Sequence, residues 1–386
     1  MGRSRVLACL ACVGVVWVGA GRAGATTITV TNMNSSGPGS LGDAIAAARG
    51  GAGVIINFDP SLVGTITLTN TPIQLGDGIQ IMGPGARQIA ITAAGNADVF
   101  LVAESSLTVS GLSFIGAGRA FRVSSSNIGA LGIDNCAFTG HNPQTLTNAG
   151  GAIFNGATST TLTVTRCTFT NNTAATVGTS GGGAIFSQGP LTIVNSTFTG
   201  NTSPHGGAIL ASTASTIVNC TIAGNSASVD GGGVWTAAGT VALRNSIVWG
   251  NTAPSGPDCF GAITSNGYNL LGSAAGVTGV LASDMVGRDP LLGPVANNGG
   301  STDTRKLLPG SPALDRGALD ALAIVDQRGL PRPHDLPAIP PAPGGNDSDI
   351  GAYEEQAACR ADFNGSGALE VQDIFDFLAA WFAGCP

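Results

Sequence analysis

Charge is what this chain has least of. Asp, Glu, Lys and Arg make up 10% of its 386 residues, where an ordinary soluble domain carries about 25%. Aromatic residues are 5%, and the one lysine is Lys306. Sixteen Lys and Arg against 23 Asp and Glu give a net charge of −7, so no basic patch is available to neutralise several phosphates, and nucleic acid is not expected as a partner. Scarce charge does not mean disorder here, because 43% of the residues are apolar and can pay for ordering the chain. His141, His205 and His334 stand alone in the sequence and read as surface residues.

Glycine is abundant, at 59 residues, and much of it falls in a repeat. Gly182-Gly183-Ala184-Ile185-Phe186 is followed by Leu191-Thr-Ile193-Val-Asn195-Ser196-Thr-Phe198-Thr-Gly-Asn201. The same grammar recurs from Gly150 to Asn172 and from Gly206 to Ile222. The residue preceding the last apolar run falls at Cys136, Cys167, Ser196, Cys220 and Ser246, giving steps of 31, 29, 24 and 26 residues. A period of that length reads as a solenoid. Within each copy, Leu, Ile, Val and Phe alternate with Thr at period two, the mark of half-buried strands, and Gly pairs and Asn supply positive-φ corners. Strands and corners with no helix between them bury an inward row only by coiling, each turn pairing in parallel with the next. The expectation is an all-β, right-handed parallel β-helix of about nine to eleven coils between Ile55 and Leu271, a rod about 45 to 55 Å long.

Four segments follow from the chain in order: 1–25, 26–288, 289–356 and 357–386. Residues 1–25 have a basic start (Arg3, Arg5), an apolar run from Val6 to Ala20 and Ala23-Gly24-Ala25, the three parts of a secretory signal peptide cleaved after Ala25. The run is too short and Gly-broken to be an uncleaved span, so no transmembrane segment is expected after cleavage. Ser40 to Arg49 reads as a short helix with Ser40 as N-cap and Asp43 three residues on, covering the exposed end of the solenoid. Asn171, Asn195, Asn201, Asn219, Asn225, Asn245 and Asn251 recur near corners. Asn195, Asn201 and Asn219 begin glycosylation sequons, but recurrence in register favours an internal ladder of stacked amides. Cys136, Cys167 and Cys220 share a position with Ser196 and Ser246 and read as small packed thiols in a tight inner row.

From Asp289 to Gln356 the repeat is lost and Pro and charge return. This region reads as a C-terminal cap in which Arg328 and Arg332 pair with carboxylates such as Asp326 and Asp349. A carboxylate site built from Asp315, Asp326, Asp349 and Glu354 is the functional alternative. In the tail, Asp362, Asn364, Ser366, Glu370 and Asp373 place oxygen donors at positions 1, 3, 5, 9 and 12 of an EF-hand-like calcium loop, with Gly367 for the turn and the Ala368 carbonyl at position 7. An apolar-faced helix follows from Ile374 to Phe382. Cys359 and Cys385 bracket this small module, whose core is too small to hold it without a staple, so a disulfide between them is expected.

Gly-Gly-Ala-Ile together with Phe169-Thr-Asn-Asn172 and Phe198-Thr-Gly-Asn201 resembles the GGAI and FxxN repeats of polymorphic outer-membrane proteins. More of the chain resembles secreted bacterial β-helix proteins with a choice-of-anchor Q region, through Asn297-Asn298-Gly299-Gly300, Leu308-Pro309-Gly310-Ser311-Pro312-Ala313-Leu314-Asp315, Asp326-Gln327-Arg328-Gly329, Arg332-Pro333 and Asp349-Ile350-Gly351-Ala352-Tyr353-Glu354. The tail resembles a dockerin repeat of the Gly-Cys type, with one loop where dockerins carry two. These resemblances imply a secreted cell-surface protein in a structural, adhesive or glycan-contacting role. The implied partners are an extracellular glycan or protein, and a cohesin-like or sorting partner for the tail.

Enzymatic signatures are absent from the regular rod. Between residues 131 and 250 the only charged side chains are Asp134, Asp230, Arg166 and Arg244, scattered over different coils. Two carboxylates facing one cleft, or an acidic calcium cluster beside an Arg base, are what hydrolysis or elimination of a polysaccharide requires. The alternative function, a lyase or glycoside hydrolase on acidic polysaccharide, would draw on Asp98 and Glu104 or on the cap. Three or more carboxylates with an Arg within about 10 Å in one groove would mark the enzyme; a groove of Thr, Asn and Ser would mark the binder.

Overall fold

The computed structural model describes residues 26–356, except 52, 77, 104–105, 117, 125–128, 144–148 and 175–180, together with residues 370–382. Residues 1–25, expected to form a signal peptide, lie outside them. Alternation decides the strands: Leu162 and Val164 are buried while Thr161, Thr163 and Thr165 between them are half-buried. Eight successive coils, from Ile55–Phe58 to Cys259–Phe260, each lay one strand in each of three parallel sheets. Sheet A has eleven strands from Thr27–Val30 to Val277–Thr278, sheet B ten from Gly64–Leu68 to Met285–Val286, and sheet C eight from Ile73–Leu75 to Cys259–Phe260. Sheet A strands between Ile55 and Ser265 mark about nine turns, the low end of the expected range.

Register is strict through the regular coils. Phe114, Phe138, Phe169 and Phe198 are partners in successive coils, and their rings stack at 5.2, 4.5 and 4.7 Å. Between sheets A and B the chain turns on Asn135, Arg166, Asn195, Asn219 and Asn245, with φ from 48° to 52°. Asn enters this left-handed region more readily than most residues because its short amide can bond locally.

Inside the corner that follows sheet B, Asn172, Asn201, Asn225 and Asn251 form the expected amide ladder. The Oδ1 of Asn201, Asn225 and Asn251 each accepts both the backbone N–H and the Nδ2–H of the Asn one coil earlier, at 2.8–3.0 Å for the six bonds, and Asn172 Oδ1 accepts the His141 N–H at 3.1 Å. Each Nδ2 also donates to a backbone carbonyl, of Phe138, Phe169, Phe198 or Ile222. Asp258 closes the ladder, accepting from Asn251 Nδ2 at 2.9 Å. The recurrent asparagines therefore divide: Asn171, Asn195, Asn219 and Asn245 turn the chain at positive φ, with Asn245 Nδ2 also donating to Asn219 Oδ1 at 3.2 Å, while Asn201, Asn225 and Asn251 hold coils together with Asn172, which takes the rung expected of Asn171. The three sequon asparagines named above are buried, at 3, 0 and 1% exposure for Asn195, Asn201 and Asn219, and the folded chain does not offer these three for glycosylation.

The Cys/Ser row is buried as expected, and it does more than save space. The N–H of Cys167 donates to Ser196 Oγ and that of Cys220 to Ser246 Oγ, both at 3.1 Å. The position wants a small side chain with one acceptor. The thiols are free, and burial pushes those of Cys136 and Cys220 up to about 12.

Helix α1, Leu41–Ala48, closes the N-terminal end. Ser40 Oγ accepts from the Asp43 N–H at 3.1 Å, and Leu41, Ala44, Ile45 and Ala48 join the core. Residues 289–356 do not lie across the opposite end; they run back along the flank as a strap. Asp303 reaches Arg87 at 2.7 Å, Thr302 Oγ1 donates to the Arg166 carbonyl at 3.0 Å, and the Gly351 N–H donates to the Asn245 carbonyl at 2.8 Å. Leu307, Leu314, Ile350 and Tyr353 cover Ile247 and Leu270 of sheet B. A second helix, α2, spans Val371–Phe382. Among the described residues no helix is long and apolar enough to cross a membrane.

Candidate functional site

Sheet B turns Phe114, Phe138 and Phe169 inward, so the alternate residues Ser113, Ala137, Thr139, Thr168 and Thr170 stand on its outer face. Over this face the strap brings Ser301, Thr302 and Asp303. The Thr168 hydroxyl donates to the Asp303 carbonyl. Gln327, fully buried, fixes the strap from behind: its Nε2 donates to the Cys167 carbonyl at 3.2 Å and to Thr168 Oγ1 at 2.8 Å, and its Oε1 accepts from Thr197 Oγ1 at 2.7 Å. Between strap and sheet lies a groove of about 350 Å³ lined by Ser113, Thr139, Thr168, Thr170, Ser301 and Thr302, with Arg87 and Asp303 paired at its edge. Thr139 and Thr170 hydroxyls are 2.9 Å apart. The groove offers hydroxyl groups that donate and accept, and one neutralised ion pair.

The carboxylates raised as catalytic candidates are engaged elsewhere. Asp98 accepts the Arg119 N–H at 3.0 Å and pairs with Arg122 at 2.7 Å; Glu104 lies outside the described residues. Asp315, Asp326, Asp349 and Glu354 are 0–1% exposed and do not face a cleft; they hold turns of the strap. Glu354 pairs with Arg332 at 2.7 Å and accepts the N–H groups of His334 and Asp349, each at 2.8 Å. Asp326 pairs with Arg328 at 2.7 Å, as the sequence suggested, and accepts the Leu330 N–H at 3.0 Å. Arg332 pairs with Glu354 and donates to the carbonyl, not the carboxylate, of Asp349. Burial and the neighbouring Glu354 raise the Asp349 carboxyl well above its usual range, burial raises Glu354, and burial pushes Asp315 up to about 6.

The four scattered charges of the rod find partners across coils. Arg166 pairs with Asp134 at 2.5 Å, Arg244 with Asp320 of the strap at 3.1 Å, and Asp230 with His205 at 2.6 Å. The histidines are thus not isolated surface groups. His205 stacks on Trp235 with ring centroids 4.7 Å apart, and His141 is fully buried, its Nδ1 2.9 Å from the Gly118 carbonyl and its basicity pushed down to about 4 by burial. A signal for the His205–Asp230 pair exists in the sequence. Each residue immediately precedes the Gly pair of its coil, Gly206-Gly207 and Gly231-Gly232, one period apart.

Of the tail site, Asp362, Asn364, Ser366 and Ala368 lie outside the described residues, as do Cys359 and Cys385. Glu370 and Asp373 are described: the Glu370 N–H donates to Asp373 Oδ2 at 2.7 Å, at the start of α2. Among the described residues no group of three or more His, Cys, Asp or Glu is arranged to hold a metal ion.

No curated protein matches the chain. A solved structure described as ORF18 of Geobacillus virus E2 is similar at 12% identity and a TM-score of 0.31, over 62% of this chain and 61% of its own. The chain thus spans about 61% of that structure's length. A family model described as a right handed beta helix region matches residues 98–278. With its three parallel sheets stacked coil on coil through that match, the chain is a right-handed parallel β-helix.

Proposed function

We propose that this protein is an exported, surface-attached β-helix that contacts glycan through the groove between strap and sheet B. The observation that carries the reading is the lining itself: four hydroxyl side chains not used to hold the strap down, those of Ser113, Thr139, Thr170 and Ser301, beside a closed Arg87–Asp303 pair. Hydroxyls that both donate and accept match the hydroxyl rim of a sugar, and such sites bind through several modest, directional bonds. The buried strap carboxylates are already committed to Arg and backbone partners, which favours contact over chemistry. Export rests on the three-part leader, with Thr26 as first residue of the mature chain.

Attachment is assigned to the tail, through a cohesin-like or sorting partner. Its loop would hold calcium through Asp362, Asn364, Ser366, Glu370, Asp373 and the Ala368 carbonyl, and a bound ion there would order the start of α2. A Cys359–Cys385 bond would close the module.

The test is incubation of the purified chain with immobilised neutral and acidic polysaccharides, with and without calcium. Retention on at least one glycan, lost in the double variant Thr139→Val, Thr170→Val, and no released sugar is the expected result. Chelator-sensitive release of unsaturated uronides or reducing ends would overturn the reading and make the protein a polysaccharide-degrading enzyme.

A further inference from the structure

The corner between sheets B and C carries a second constellation that the groove does not use. His205 ends the short strand Thr202–His205, and Asp230 ends its parallel partner Ser226–Asp230 one coil on. Gly206 and Gly231 follow them at φ of 61° and 63°, and a Cβ at Gly231 would stand 2.7 Å from that of Trp235. Only glycine allows the corner to bring the pair against the ring.

His205 Nδ1 is 2.6 Å from Asp230 Oδ1, so the carboxylate fixes the imidazole's orientation, and the side chains keep 16% and 15% exposure. Trp235 stands outward from sheet C in register with Leu210 before it and Phe260 after it. Both aromatic residues are half-buried. Among the described residues, His205 Nε2, Asp230 Oδ2 and the Trp235 indole N–H have no protein hydrogen-bond partner.

We propose that Trp235, with Phe260 one coil along, is a stacking platform for a neutral pyranose ring, and that His205 and Asp230 bind its hydroxyls. The chemistry selects this ligand. The part of the half-buried indole that the stacked His205 leaves uncovered accepts a flat apolar face, and the site offers acceptors at His205 Nε2 and Asp230 Oδ2 and a donor at the indole N–H, as a rim of hydroxyl groups demands. The Asp230 carboxylate, with no Arg or Lys paired to it, disfavours uronates and phosphates by like-charge contact. The ring spacing of one coil, about 4.8 Å, approximates the length of one sugar unit along the rod axis. The inference shares with the preceding reading its class of ligand and rests on a different face of the rod, so the two fail separately.

The experiment labels the full chain with 5-fluorotryptophan and follows the Trp235 fluorine resonance, assigned by its absence in Trp235→Phe, during titration with cellohexaose, laminarihexaose, mannohexaose and trigalacturonate. At least one neutral hexasaccharide is expected to shift that resonance saturably, while trigalacturonate does so at least about tenfold more weakly. Asp230→Asn and His205→Gln, which preserve shape, are expected to weaken the response about fivefold or more. Trp235→Phe keeps an apolar ring should Trp235→Ala fail to fold, and calorimetric affinity for the same hexasaccharide is expected to fall in it. A resonance that no neutral hexasaccharide moves overturns the proposal, as does an affinity unchanged in Asp230→Asn and Trp235→Phe. If the groove double variant loses retention on matrix while the Trp235 resonance stays still, the platform falls and the groove reading stands. If the resonance moves and the double variant is still retained, the groove reading falls and the platform stands.

Discussion

The inner corner of the rod and the flanking strap face the same problem, buried backbone groups that need partners, and solve it with opposite chemistry. In the rod, Asn172, Asn201, Asn225 and Asn251 are neutral, and each finds its partner in an identical residue one coil away. In the strap no neighbour repeats. There, Glu354, Asp349 and Asp326 each gather N–H groups from unrelated turns, Asp315 accepts one from Leu336, and Arg332 gathers the carbonyls of Asp349 and Gly351. Translation makes a donor and an acceptor on one amide sufficient. Without translation, a charged group with several lone pairs or several N–H donors serves many partners from one place.

The comparison predicts where damage is greatest. Arg332→Met leaves the Glu354 carboxylate buried without its ion pair, and a loss of about 3–5 kcal/mol is expected. Hydrogen exchange should localise it to residues 313–354, with the sheet A amides of the central coils unchanged. Equal exposure of rod and strap would show that the two regions unfold as one unit and dissolve the contrast.

Asn201→Ala removes the acceptor of the Asn172 N–H and the donor to the Phe169 carbonyl. Leaving these groups unsatisfied should cost about 3 kcal/mol, measured by denaturant unfolding. Asn201→Asp sharpens the point: a carboxylate accepts but does not donate, and it would face Asn225 Oδ1. It should be the more damaging of the two at neutral pH.

Gln327→Leu is expected to cost about 2 kcal/mol and to free the strap over Thr168 and Thr197 without disturbing the ladder; thermal unfolding with and without Asn201→Ala checks additivity. Gln327 stood in the Asp326-Gln327-Arg328-Gly329 motif, but what it would hold was not legible in the chain. Its partners Thr197, Cys167 and Thr168 lie 130, 160 and 159 residues away, and one glutamine in an irregular segment makes no pattern. The ladder, by contrast, was legible because Asn201, Asn225 and Asn251 recur at the period of the strands. Its division into two columns was not, since a turning Asn and a bonding Asn a few residues apart look alike until φ and side-chain direction are known.

The strap also carries a pH signature that the neutral ladder lacks. The folded carboxyl of Asp315 is pushed up to about 6 by burial, and Asp349 and Glu354 are raised too. Asp315 Oδ1 is buried without a partner, which disfavours the charged form. A carboxyl raised on folding contributes stability that is full below its unfolded value and is lost as pH rises through its folded value. The strap should therefore lose part of its protection between about pH 4 and 6, and Asp315→Asn should flatten that slope in exchange measured across the window.

Cys167→Ser should be the mildest change, below about 1 kcal/mol, because the sibling Ser196 and Ser246 already show that a hydroxyl fits the row and supplies its acceptor. Thiol titration should find Cys136, Cys167, Cys220 and Cys259 unreactive until the chain is unfolded, since burial suppresses the thiolate.

Sequence alone determined the rod: its parallel strands, inward rows, N-terminal helix and ladder. In a solenoid each residue's partner is the equivalent residue one period on, so the contacts are written as repetition. Tertiary structure decided the rest. It laid the strap along the flank and not across the end, buried the carboxylates that might have formed a site, and brought His205 onto Asp230 and Trp235. Those placements depend on how coils of unequal length superpose and on which non-repeating segment falls over which face, and no local pattern encodes either.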